Sequence, residues 1–141
     1  MVIIRLMGGL GNQLQQYALY EKFNTLGRDV RLDTSWFEGG QHGLLAKRKI
    51  EIDRFRGVSY RAASPEEVRK LRGSESLAAR AIRKLSGGSM PGNKKRFTES
   101  DQYHPEIFGL TDAYLEGYWA CEYYYADILP LLREKIVFPY S

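Results

Sequence analysis

The chain has 141 residues and a formal net charge of +4, with 43% hydrophobic and 27% charged residues. That mix excludes a disordered, collagen-like or low-complexity chain and suits one compact domain. The single cysteine, Cys121, excludes an internal disulfide framework, no apolar run reaches the roughly 20 residues of a membrane span, and the apolar start is too short for a signal peptide. A soluble, cytoplasmic domain is expected.

In chain order, Val2 to Met7 reads as a buried strand broken only by Arg5, running into Gly8, Gly9, Leu10 and Gly11. Gln13 to Leu26 has helical spacing, with Leu19, Phe23 and Leu26 on one face and Gly27 as its stop. Asp29 to Asp33 alternates at period two, as a second strand should. Strand, glycine turn, helix and strand make a βαβ unit, whose crossover requires two parallel strands. The expected fold class is α/β, a Rossmann-like parallel sheet flanked by helices, over one domain spanning 1–141.

Thr34 to Lys49 reads as loop and Ile50 to Phe55 as a short strand. Ser64, Pro65 and Glu67 predict a helix start with a capping box. Glu75 to Leu85 predicts another helix, with Arg80, Arg83 and Lys84 largely opposite its apolar face. Ser86 to about Pro105 reads as loop and Ala113 to Trp119 as strand. Glu122 to Lys135 predicts a helix that Pro130 should kink or divide.

Charge is segregated along the chain. Residues 61–96, read as a basic helical insertion, carry ten Lys or Arg against three Glu. Such an excess marks either a solvated helix face or an anionic partner, a phosphate or a membrane surface. No nucleic-acid-binding motif accompanies it, so nucleic acid is not an expected partner.

The run Gly8, Gly9, Leu10, Gly11, Asn12, Gln13 lies between a buried strand and a helix start. Glycines let backbone approach an anion, and the unpaired N–H groups and dipole of a helix start favour negative charge. Asn12 can cap the helix or donate through its amide. The same residues also suit a tight turn that binds nothing. Gly9 and Gly11, with Asp33 at the end of the next strand, imitate a dinucleotide-binding fingerprint, in which Asp33 would hold a ribose hydroxyl. Leu14 stands where that fingerprint needs its third glycine.

Met7 to Gln13, followed by Gln16, Tyr17 and Ala18, resembles the N-terminal signature of bacterial-type α-1,2-fucosyltransferases. The likeness continues in order through Asp33 to Phe37, Ile52 to Phe55, His104 to Ile107, Tyr114 to Trp119, and Glu122 with Tyr124 and Tyr125. The basic middle segment is least similar. The chain departs from the family pattern at Gln15, where an aromatic is usual, and at Ala120 and Cys121, where Gln-Ser is common. The His-x-Arg-x-Gly-Asp-type motif of the family's second half, whose Arg holds the donor diphosphate, does not occur in these residues. The resemblance therefore implies the N-terminal, acceptor-side lobe of a GT-B-like glycosyltransferase without its nucleotide-binding lobe, inactive by itself.

What the family implies is an inverting, metal-independent transfer of L-fucose from GDP-β-L-fucose to the 2-hydroxyl of a galactoside. GDP-fucose is then a substrate, no cofactor or metal is needed, and the acceptor is galactoside, in some members lipid-linked at the inner membrane face. Without a metal, charge on the departing diphosphate must be met by guanidinium, ammonium and backbone N–H groups. Gly8, Gly9, Gly11, Asn12 and Gln13 are the expected donor-side residues. Asp33 and Glu116 join Asn12 as candidate catalytic residues, the two carboxylates as acceptor ligands or base. Their alternative readings are a loop cap for Asp33 and a solvent-facing strand position for Glu116. Trp36, Tyr118 and Trp119 either offer stacking faces to sugar rings or pack in the core. His104, before Pro105, reads as structural rather than as a general base, and Cys121 as a small buried apolar residue. Arg80, Arg83 and Lys84 would favour peripheral contact with an anionic membrane.

Overall fold

A computed structural model describes residues 1–39, 47–73 and 95–138. Strands β1 (Val2–Arg5), β2 (Val30–Asp33), β3 (Arg96–Thr98) and β4 (Ala113–Glu116) form one sheet in the order β2-β1-β4-β3. Every pairing in it is parallel. Helices α1 (Leu10–Thr25), α2 (Trp36–Gly39), α3 (Pro65–Arg72) and α4 (Leu129–Lys135) flank or follow the strands. The architecture is α/β and Rossmann-like, as the βαβ reading requires.

Period-two alternation divides β1 between two cores. Val2 and Ile4 pack with Tyr17, Leu19 and Phe23 of α1, together with Val30, Leu32, Ala113 and Leu115 from the neighbouring strands. Ile3 faces the other way and meets Tyr114, Val68 and Leu71, so α3 covers that face. The chain steps from β1 to β2 in one direction and reaches β4 and β3 in the other. Right-handed crossovers in opposite directions require helices on opposite faces, and α1 and α3 are so divided. Outside β2, a parallel bridge from Leu32 to Ala62 covers part of the sheet's edge.

The termini of the helices follow local chemistry. Gly9 is the N-cap of α1 in extended geometry, and no side chain caps it. The helix therefore begins at Leu10 rather than Gln13, and Asn12 sits inside its first turn instead of capping it. Leu26, expected on the buried face, lies beyond the last turn and is 47% exposed. In α3 the box forms as read: Ser64 Oγ accepts the Glu67 N–H at 3.2 Å, and Glu67 Oε1 accepts the Ser64 N–H at 2.8 Å. Pro65 occupies the first turn, where its missing N–H costs nothing.

Four expected elements differ, the first being the segment read as loop from Thr34, which contains the short helix α2. Ile50 to Phe55 forms a 3-10 turn at Ile52–Arg54, because Ile52 is buried in the core while Asp53 and Arg54 stay in solvent. The segment read as loop before Pro105 contains β3, an edge strand too short to leave a periodic signature. Glu122 to Lys135 is broken into 3-10 turns at Glu122–Tyr124 and Ala126–Ile128, and Pro130 opens α4 instead of kinking a longer helix. The expected helix Glu75 to Leu85, with Arg80, Arg83 and Lys84, lies outside the described residues.

Candidate functional site

Parallel strands end on one edge, so the residues leaving β1, β2, β3 and β4 converge there. The order of strands reverses between β1 and β4, and in open parallel sheets ligands bind in the crevice outside that point. The glycine turn leaves β1 on one side of this crevice, and Gly117 leaves β4 on the other. Gly8 has φ +81°, a left-handed conformation that glycine adopts without strain. A Cβ there would lie 2.7 Å from Asn12 Nδ2, so the Asn12 amide is seated directly over the turn. At Gly9 a Cβ would come within 3.2 Å of Arg48 Nη1, which brings a guanidinium against the turn. Nothing lies within 4 Å of the same position at Gly11.

Gln13 and Gln16 are fully buried and serve the turn from inside. Gln13 Nε2 donates to the Gly8 carbonyl at 3.0 Å and the Lys49 carbonyl at 2.9 Å, and its Oε1 accepts the Glu51 N–H at 2.7 Å. That side chain is committed to backbone, which corrects its expected place among donor ligands: it holds Arg48 and its neighbours to the turn. Gln16 Oε1 accepts the Met7 N–H at 2.9 Å while its Nε2 donates to the Gly117 carbonyl at 3.0 Å. One amide thus bridges the loops that leave β1 and β4.

The candidate carboxylates belong to a charged row on the α3 face. Asp33 and Arg5 are register partners, and Arg5 reaches Glu116 at 3.6 Å. Arg96 meets Glu116 at 2.6 Å. Asp33 is 2% exposed; it accepts the Tyr114 hydroxyl and the Ser35 N–H, and Arg72 stands 3.6 Å away. Burial first, and the Asp33 carboxylate second, push the Tyr114 phenol far above its ordinary range, so it remains a donor. Glu116 is buried rather than solvent-facing, because β4 is an interior strand. The Ser35 contact gives Asp33 the local capping role read for it, with two further partners added by the fold. Both carboxylates are therefore engaged. Asp33 and Arg72 line a cavity of about 330 Å³ with Thr34, Ser35, Glu38 and Arg69.

The aromatic candidates separate. Trp119 is fully buried, stacked on Phe97 and edge-on to Tyr124, so it is core and offers no sugar platform. Tyr118 is 49% exposed beside it. Trp36 is partly buried and meets Phe37 edge-on at 5.1 Å between centroids. Cys121 is partly buried against the main core.

Sequence reasoning missed Arg5, Gln16, Arg48, Arg72, Arg96 and Tyr114 as parts of this edge. Arg5 carried a signal as the one charge in an apolar strand, and Gln16 and Tyr114 stood in the blocks of resemblance without an assigned role. Among the described residues no group of three or more His, Cys, Asp or Glu is arranged to hold a metal ion. Among them, too, no helix is long and apolar enough to cross a membrane. No protein-family model, curated protein or solved structure matches the chain.

Proposed function

We propose that this chain is the N-terminal, acceptor-side lobe of an inverting galactoside α-1,2-fucosyltransferase that uses GDP-β-L-fucose. The observation that carries the reading is the glycine turn at the switch crevice, opening the 16-residue helix α1 with Arg48 against Gly9. Backbone N–H groups of a helix start, an amide and a guanidinium are what a departing diphosphate needs when no metal neutralises it. The ordered blocks that resemble the family supply the choice of sugar and acceptor. In this reading Gly9, Gly11, Asn12 and Arg48 face the donor, while Tyr118 stands toward the acceptor.

Transfer of labelled fucose from GDP-fucose to a galactoside, by the complete protein of which this chain is the proposed lobe, tests the assignment. Asn12→Ala should lower turnover by about 10²-fold, the effect of losing one donor to developing negative charge, with an unchanged melting curve. Normal turnover in that variant removes the role of Asn12. Absence of any transfer by the wild type overturns the proposal, and binding of GDP-fucose or galactoside without transfer leaves a non-catalytic binding domain.

A peripheral seat on the anionic inner face of the cytoplasmic membrane belongs to the same reading, supported by the exposed Arg61, Arg69 and Lys70. Co-sedimentation should favour anionic over neutral vesicles, and equal binding to both ends the idea.

A further inference from the structure

Beyond the carboxyl end of β3, Ser100, His104 and Glu106 form a relay that the charged row does not include. Ser100 Oγ lies 2.6 Å from His104 Nε2, and Glu106 Oε1 lies 2.8 Å from His104 Nδ1. An ionised carboxylate can only accept, so Nδ1 carries the ring proton and donates it to Glu106. In the neutral ring Nε2 then holds a lone pair and accepts from the Ser100 hydroxyl. This is the arrangement of a base oriented by a carboxylate and already facing an O–H.

Chain neighbours of the relay lead back toward the crevice through hydrogen bonds of their own. Glu99 precedes Ser100, and its Oε1 accepts the N–H groups of Tyr118 and Trp119, both at 3.0 Å. Those residues follow Gly117, whose carbonyl Gln16 joins to Met7 at the start of the glycine turn. The His104 ring also packs edge-on against Phe97 of β3, 5.2 Å between centroids. Among the described residues, the titratable groups hydrogen-bonded to His104 are Glu106, on Nδ1, and Tyr124, whose hydroxyl accepts the His104 backbone N–H at 2.7 Å. The Glu106 backbone N–H, and then His104, hold the Glu106 carboxyl below the usual carboxylate range, which keeps it an acceptor.

We infer that His104 is the general base that deprotonates the acceptor hydroxyl, with Glu106 its positioning residue and Ser100 Oγ marking where that hydroxyl docks. The inference rests on the transferase reading. Asp33 and Glu116, the carboxylates singled out in the sequence, are buried and committed to Arg72, Tyr114, Arg5 and Arg96. His104 Nε2 lies against the hydroxyl of Ser100, an exposed residue. In the step, the acceptor oxygen bonds to the fucose anomeric carbon and its proton passes to Nε2. The bond from that carbon to the diphosphate oxygen breaks, and its electron pair leaves with GDP.

Steady-state fucose transfer by the complete protein across a pH series tests this. His104→Gln should lose about 10²–10⁴-fold in kcat, the usual contribution of a positioned base, with KM for GDP-fucose unchanged. The fall in rate toward acid, as an imidazole gains its proton, should vanish in that variant, and added imidazole should restore part of the rate to His104→Gly. Glu106→Gln, which leaves the ring in place, should lower kcat as well and serves if His104 variants do not fold. Wild-type transfer with His104→Gln, or with folded Glu106→Gln, keeping the wild-type kcat and pH profile overturns the base assignment alone. A wild-type protein that transfers no fucose overturns the transferase reading and this inference together.

Discussion

At the scale of single residues, the candidate site is built from polar side chains taken out of water and given partners. Asp33 shows the logic. A carboxylate at 2% exposure persists because Tyr114, the Ser35 N–H and Arg72 surround it. Tyr114→Phe removes the hydroxyl and leaves the ring, so packing survives while a buried carboxylate loses a donor. Urea unfolding should show a loss of about 1.5–3 kcal/mol, the range for hydrogen bonds to charged groups. An unchanged midpoint would mean that water replaces the phenol. Asp33 was legible in the sequence as a strand-end carboxylate. Its partners were not, since Tyr114 lies 81 positions away and only strand pairing brings the two together.

At the scale of elements, α3 was the most legible helix start, because a capping box is a local device whose parts are three residues apart. Its hydrogen bonds carry a pH dependence. The Ser64 backbone N–H first, and Arg31 after it, hold the Glu67 carboxyl below its ordinary value. A depressed folded pKa makes the contribution complete above the unfolded glutamate pKa of about 4.3 and removes it as pH falls through the folded value. Acid titration of stability should therefore be shallower in Glu67→Gln than in wild type, and identical curves would remove the box from the acid response. Short elements were less legible. β3 has three residues, and its place in the sheet depends on the exposed edge of β4 rather than on any pattern of its own. Pro130 announced a break, but only burial of Tyr124 and Tyr125 explains why the preceding residues coil into 3-10 turns.

At the scale of the whole molecule, the parallel sheet makes one edge out of four strand ends, and a few buried amides hold that edge together. Gln16 is the bridge across its centre. In Gln16→Ala the part-buried Met7 N–H and Gly117 carbonyl both lose their partner, and each such group costs up to about 1–3 kcal/mol when water does not replace it. Stability should fall accordingly, and amide exchange should quicken at Met7 while the centre of α1 keeps its protection. Unaltered exchange at Met7 would mean that the two loops are held apart from Gln16. The polar character of Gln16 was visible in the sequence. Its burial was not, because a glutamine on an amphipathic helix ordinarily faces solvent.

What the sequence by itself determined is what depends on near neighbours. The strand–turn–helix–strand unit, its parallel pairing, the glycine turn at the carboxyl end of β1 and the start of α3 all rest on spacing and backbone preference. Tertiary structure alone decided which side chains meet beyond that turn. Arg5, Asp33, Tyr114, Glu116 and Arg96 come from four strands, and their shared face is set by register and strand order. Trp119 went to the core for the same reason: once β4 is interior, the chain leaving it passes over the partly buried Phe97 rather than into solvent. Local sequence encodes geometry over a few residues, whereas a site at the end of a parallel sheet is assembled from strands whose order no single segment specifies.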